Sequence, residues 1–322
     1  MAGAVGEARI GSTAAGPRAR RCLLVGLVAA FAGLAACGGD GAGERSGAPW
    51  IDPDGEPPIV GSIAVNPRDR ALWLATNTGL FRIPPGARSP QRVTGTLDTP
   101  KGSGKISEQL VVHFTGPDEL LGSGHPPPGN TDLPQLLGLI RSADAGKTWS
   151  SVSQLNTADF HAIERSGGLL VGSQFGLSQI LVSRDEGRKW SSRSSPGALV
   201  DLELDPADED RWIASTADST FRTTDEGRSW RAIDATPNSR FAWPAPGALY
   251  RLDPGGPLKV SDDGGDSWQD RGSTGGEPQA LVAEDPERLY ALLLDGTVKR
   301  SEDGGRIWSV LVAPPRGGEE GS

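Results

Sequence analysis

The stretch SRDEGRKW at residues 183–190 is one of five copies of a single eight-residue phrase. The others are SADAGKTW (142–149), TTDEGRSW (223–230), SDDGGDSW (261–268) and SEDGGRIW (301–308). The shared pattern is Ser/Thr-x-Asp-x-Gly-x-x-Trp, with its aspartates at 144, 185, 225, 263 and 303. A recurrence every 40 residues or so marks a repeat architecture with one supersecondary unit per repeat. The short polar side chains close a tight turn onto backbone N–H groups, and the glycine supplies a positive φ. The tryptophan opens the next strand and gives a large apolar face to a neighbouring sheet.

Around the motif, each repeat reads as an apolar strand, a polar turn, a second strand, a short third strand, the motif, and a strand after the Trp. Leu199–Leu204, Asp205-Pro206-Ala207-Asp208, Trp212–Ser215 and Thr220–Thr223 show the template. Alternating apolar runs are the strand signal, and Asn-Pro or Asp-Pro is the turn signal. Six units follow, at 59–97, 108–153, 158–195, 198–236, 238–272 and 278–313. The first lacks the motif and has Pro84-Pro85-Gly86-Ala87-Arg88 in its place. The expected fold is all-β: a six-bladed β-propeller of four-stranded antiparallel blades, with seven blades as the alternative. The phrase resembles the Asp-box (BNR) repeat of sialidase-like propellers, and the wider resemblance, over residues 59–313, is to secreted bacterial glycosyl-hydrolase-like proteins of unproven activity. By this resemblance the fifteen motif residues are framework: Asp144, Gly146, Trp149, Asp185, Gly187, Trp190, Asp225, Gly227, Trp230, Asp263, Gly265, Trp268, Asp303, Gly305 and Trp308.

Four segments make up the chain. Residues 1–36 have the build of a signal peptide, with Arg18, Arg20 and Arg21 ahead of an apolar stretch from Cys22 to Ala36. Leu34-Ala35-Ala36-Cys37 resembles a bacterial lipobox, which implies lipidation at Cys37 and export to the outer face of the cell membrane; an ordinary secretory signal is the alternative. Residues 37–57 read as a flexible tether, with Trp50-Ile51 as its apolar exception. Residues 58–314 form the propeller and 315–322 a disordered tail. The chain carries −9 overall and −12 once the basic leader is set aside. That balance speaks against nucleic acid, which is bound by neutralising phosphates. Both cysteines fall at or before residue 37, so no disulfide is expected within the propeller.

Two stretches exceed the repeat, Asp98–Gln109 and Gly122–Gln135. Connections from the outer strand to the next inner strand, and from second to third strand, open on one face; the repeated motif lies on the other. Both insertions are expected on the former face, where long loops on a rigid scaffold carry function. The candidate chemistry sits there: His125 in the second insertion, Asp132 beside it, and Asp159 and His161 at the start of repeat three. These four are read either as a metal or acid–base site or as ordinary surface and strand residues. The second reading is favoured because the His and Cys spacing of metal sites is absent, so no metal or cofactor is expected. His113 and His161, both on first strands, are expected to lie near each other across neighbouring blades. Phe81-Arg82-Ile83-Pro84 spells a sialidase motif, yet Arg82 falls in phase with Arg222 and Arg300 on the third strand, which makes it a repeat residue. Tyr250 and Tyr290 are read as packing residues at the second-strand position of Trp73 and Trp212, which leaves no tyrosine nucleophile. The expected role is a monomeric binding or assembly module for an extracytoplasmic protein or glycan. The alternative is a glycosidase of sialidase-like fold.

Overall fold

The structure is a computed structural model, and it describes residues 58–106, 109–174 and 179–314. Cys22, Cys37 and Trp50-Ile51 lie outside the described residues. Blade 1 comprises β1 (Val60–Val65), β2 (Leu72–Thr76), β3 (Gly79–Ile83) and β4 (Gln91–Val93). A hairpin of β5 (Gly95–Thr99) and β6 (Gly102–Ile106) comes next. Blade 2 is β7 (Leu110–Gly116), β8 (Glu119–Gly124), β9 (Leu139–Ser142) and β10 (Thr148–Ser153). Blade 3 is β11 (Phe160–Ser166), β12 (Leu169–Gln174), β13 (Gln179–Ser183) and β14 (Ser191–Ser194). Blade 4 is β15 (Leu199–Leu204), β16 (Trp212–Thr216), β17 (Thr220–Thr223) and β18 (Arg231–Asp234). Blade 5 is β19 (Arg240–Ala245), β20 (Ala248–Leu252), β21 (Pro257–Ser261) and β22 (Gln269–Ser273). Blade 6 is β23 (Pro278–Ala283), β24 (Leu289–Leu293), β25 (Val298–Ser301) and β26 (Ser309–Val312).

Each blade is an antiparallel meander, and the first strands form the inner ring. β1 touches β7 and β23, β11 touches β7 and β15, and β19 touches β15 and β23, so six blades close the circle. The core lies between blades. Blade 1 contributes Leu72, Leu74, Phe81 and Ile83 to a cluster whose other half is Tyr290, Leu292, Val298 and Val312 of blade 6. The second strands are the most deeply buried, because they have sheet on both edges and a neighbouring blade on both faces.

The repeated motif is a closed hydrogen-bond circuit. In every copy the Ser/Thr Oγ donates to the Asp Oδ1 and accepts from the Gly N–H, at 2.7–3.0 Å. The same Oδ1 accepts the N–H of the residue before the Trp at 2.8–3.0 Å. Two left-handed residues in succession make this loop, as at Glu186 (φ 59°) and Gly187 (φ 81°). Its glycine abuts the preceding blade: a Cβ on Gly187 would overlap Leu139 Cδ2 of blade 2. The indoles of Trp190 and Trp230 reach back the same way, donating to Ser153 Oγ at 2.9 Å and the Ser194 carbonyl at 3.0 Å. At Trp190 and Trp230 the motif thus ties its blade to the one before it, whereas the Trp149 and Trp308 indoles donate to the glycine carbonyl of their own motif.

Three expectations need correction. The first insertion does not rise from a face. Residues 95–106 are the β5–β6 hairpin, and β5 pairs in parallel with the outer strand β10, through Thr96–Asp98 against Thr148–Ser150. Gly95–Leu97 thus belong with blade 2 rather than blade 1, because Leu97 and Ile106 bury themselves with Trp149, Leu133 and Leu137. Nor do the two tyrosines share one position with both tryptophans. Tyr290 faces Arg300 as Trp73 faces Arg82, but Trp212 pairs with Thr223, one step earlier along its strand. All four side chains are buried, so the packing role holds. Finally, His113 is paired with Glu164 and His161 with Asp159.

Candidate functional site

The second insertion becomes the β8–β9 loop, residues 125–138. Its far half is anchored. Leu133 and Leu137 are buried against the β5–β6 hairpin, and Asn130 Oδ1 accepts the N–H groups of Asp132 and Leu133 at 2.9 and 3.0 Å. Gly104 lets this happen, since a Cβ there would meet Leu133 Cγ at 3.0 Å. The two insertions are thus one unit, with the hairpin as a buttress for the loop. The tip, from Pro128 to Asp132, stands mostly in solvent.

The near end of the loop carries the site. His125 Nε2 lies 3.0 Å from Asp159 Oδ2, and His161 Nε2 lies 2.8 Å from the same oxygen. His125 Nδ1 is 2.9 Å from the Gln135 carbonyl. Asp159 sits in the connection from blade 2 to blade 3 and His161 at the second residue of β11, so loop and blade entry meet at the ring's mouth. Burial pushes the Asp159 carboxyl up, but hydrogen bonds from both histidines outweigh it and hold the group far below the usual carboxylate range. The bond to Asp159 raises His125 above an ordinary histidine. Asp132 does not join them; its backbone caps the Asn130 turn and packs against Gly102. Among the described residues, no group of His, Cys, Asp and Glu is arranged to hold a metal ion.

A second cluster was not anticipated. Take the motif Ser/Thr as a fixed point in blades 2, 3 and 4. The second-strand residue just after its partner then faces His113, Glu164 and Glu203 respectively. Three ionisable groups therefore occupy one register position on successive inner strands, and Asp201 lies two residues before Glu203. His113 Nδ1 is 3.6 Å from Glu164 Oε2, with the side chains only 25% and 22% exposed. Burial, with Arg165 adding, lowers His113 to about 4. Burial raises Glu164 well above an ordinary glutamate, helped by the charge of Asp201; it raises Glu203 too, helped by Glu164 and Asp201. Asp201 is pushed up to about 6 by burial, against the pull of Arg240 and the N–H groups of Phe241 and Leu202.

This cluster fixes a pH dependence. A carboxyl raised on folding stabilises the fold below its unfolded pKa and loses that contribution as pH climbs through the folded value. His113, depressed, works oppositely, and its effect is confined between about 4 and 6.5. Above pH 6.5 only the carboxyl effect remains. Relative to wild type, Glu203→Gln should therefore gain stability as pH rises above 6.5. Urea titrations at pH 5, 6.5 and 8 measure it, and a pH-independent difference would contradict it.

Elsewhere, Arg82 pairs with Asp69 at 2.9 Å on the outside of blade 1, as a repeat residue should. The Asp205–Asp208 turn is closed by Arg211, at 3.3 Å from each carboxylate. The opposite face, which bears the repeated motif, has two adjoining polar clefts of about 600 and 370 Å³ that share Gly247 and Asp262. The loop-bearing face adds exposed apolar side chains, Ile59 at 55% and Leu294 at 51%, beside blades 1 and 6.

No protein-family model matches the chain, and no curated protein matches it. Solved structures do. YCF48 from Cyanidioschyzon merolae aligns at 16% identity over 81% of this chain and 86% of that one, with a TM-score of 0.48. A GH74 xyloglucanase from Xanthomonas campestris aligns at 19% identity over 79% of this chain and 38% of that one, with a TM-score of 0.49. An ancestral GH74 enzyme aligns at 12% identity over 77% of this chain and 36% of that one, with a TM-score of 0.50. At such identities the likeness is one of fold: the chain is a β-propeller.

Proposed function

We propose that this chain is an exported Asp-box propeller, anchored through a lipid on Cys37, that binds a protein segment or glycan with its loop-bearing face. The observation that carries the binding reading is the convergence of His125, Asp159 and His161 beneath a buttressed loop at the ring's mouth. On the motif-bearing face, by contrast, the Ser/Thr and Asp side chains of the motif are engaged in their own turn circuits. A rigid ring that presents a polar cluster and two exposed apolar side chains on one face suits recognition. Photo-crosslinkers placed at Pro128 and Thr131 should capture a partner in the native envelope, whereas one at Ser267 on the other face should not. Capture from Ser267 alone would overturn the assignment of the face. Cys37→Ser should move the protein out of the membrane fraction, and its retention there would overturn the anchor.

The inner-ring carboxyls favour a second reading, a glycosidase. Glycoside hydrolysis requires one carboxyl kept protonated near neutral pH beside another. Glu164, Asp201 and Glu203 form such a group. Turnover of a fluorogenic glycoside or sialoside that Glu203→Gln abolishes would replace the binding reading with this one.

A further inference from the structure

His125 has a hydrogen-bonding demand that a neutral imidazole cannot meet. Its Nδ1 faces a backbone carbonyl, which only accepts, and its Nε2 faces Asp159 Oδ2. With Asp159 held ionised, that oxygen also only accepts. Both contacts exist together only when both ring nitrogens carry protons, as in the imidazolium. Asp159 is the titratable group that faces His125, with His161 on the same carboxylate oxygen; Gln135 approaches from its own loop with a neutral group.

We infer that His125 is a proton-operated latch on the neck of the β8–β9 loop, joining its start, anchored on Asp159, to Gln135 near its end. As a cation it ties the loop to the Asp159 connection while also bonding Gln135. As a neutral ring it must give up one bond. The Gln135 arm is the one to release, because the charge-assisted bond to the Asp159 carboxylate is the stronger of the two and keeps the single proton on Nε2. The far half of the loop does not follow, since Leu133 and Leu137 stay buried against the hairpin. What is freed is the tip, from Pro128 to Asp132, since His125 N–H stays on the Gln109 carbonyl and Pro126 is buried. The latch thus regulates the face assigned to binding, and it rests on that reading only for its purpose.

The direction in pH is set by both partners. The raised His125 stabilises the closed loop below its unfolded pKa and ceases to as pH rises through its folded value. The depressed Asp159 contributes above the usual carboxylate range and fails on strong acidification. The latch is therefore closed at mildly acidic pH and opens as pH rises past the raised His125 titration.

Long-range ¹⁵N NMR of the histidine rings in the full-length protein, with amide exchange of residues 129–132, tests this without any partner. The expected result has both His125 nitrogens protonated at pH 6. Exchange at the tip, corrected for intrinsic rate, should rise roughly tenfold as that ring deprotonates, which is the loss of one charged hydrogen bond. In Asp159→Asn the step should vanish; should that variant not fold, the wild-type curves alone decide. A single neutral tautomer at pH 6, or tip exchange unmoved through the titration, would overturn the latch. Absence of crosslinked partner would instead overturn the binding reading and leave the latch standing.

Discussion

Replacing Arg251 by methionine is expected to lower stability by about 3–5 kcal/mol, the usual cost of stripping one member from a buried ion pair. Arg251 is 2% exposed and lies on β20, in the middle of blade 5. Its Nη1 is 2.9 Å from Asp234 on the outer strand of blade 4, and its Nε is 2.9 Å from Asp253 of its own blade. The guanidinium also stacks 4.6 Å from the ring centre of Trp268, a motif tryptophan. Methionine keeps most of the volume, so the loss reports charge rather than a hole. Burial pushes Asp234 up, but Thr236 and Arg251 bring it down to about 2. A depressed carboxyl contributes above its unfolded value and fails as pH falls through the folded one. The gap between wild type and Arg251→Met should accordingly narrow between pH 4 and 2. Thermal and urea unfolding at pH 7, 4 and 2.5 measure this, and a gap that ignores pH would remove Asp234 from the account.

The second large effect separates two costs that glycine usually hides together. Gly187 and Gly86 have nearly the same φ, 81° and 80°, yet a Cβ on Gly86 would meet nothing within 4 Å. Gly86→Ala should therefore show the backbone penalty alone, about 1 kcal/mol. At Gly187 the new methyl would overlap Leu139 of blade 2 and come within 3.2 Å of Leu170 and 3.3 Å of Trp190. Overpacking adds roughly 1–3 kcal/mol, so Gly187→Ala should lose about 2–4 kcal/mol in all. Equal losses in the two variants, measured by urea unfolding, would mean that Leu139 repacks freely and that the close approach of the blades is not needed.

The repeat made the fold readable because the motif's short-range chemistry is the same wherever it occurs. Ser, Asp and Gly close their own loop within five residues, so five copies announce five turns. What escaped was non-local. DTPKGSGK reads as a loop, and only Leu97 and Ile106, by burying against Trp149 and Leu133, make it a hairpin. The register of Trp212 escaped because all three of Trp212, Tyr250 and Tyr290 precede their motif aspartate by 13 residues. A different arrangement of the third strand then shifts the pairing by one. His125 and Asp159, 34 residues apart, were legible as candidates because loops of their two kinds share a face. Glu164, Asp201 and Glu203 passed as ordinary strand alternation. Their signal was phase: the same slot in consecutive repeats, filled by His, Glu and Glu where blades 1 and 6 have Ala64 and Val282.

Every blade here is built from strands contiguous in the chain, with no strand borrowed from the far terminus. The junction of blades 6 and 1 is therefore the one place in the ring without a peptide link, held by Leu72, Leu74, Phe81 and their blade 6 partners. Such a ring has a movable origin. Cutting the connection between blades 3 and 4, 4 and 5, or 5 and 6 and joining the ends would relocate the opening without changing a single sheet. The chemistry at the mouth would then be carried unchanged to a new place in the order of the chain.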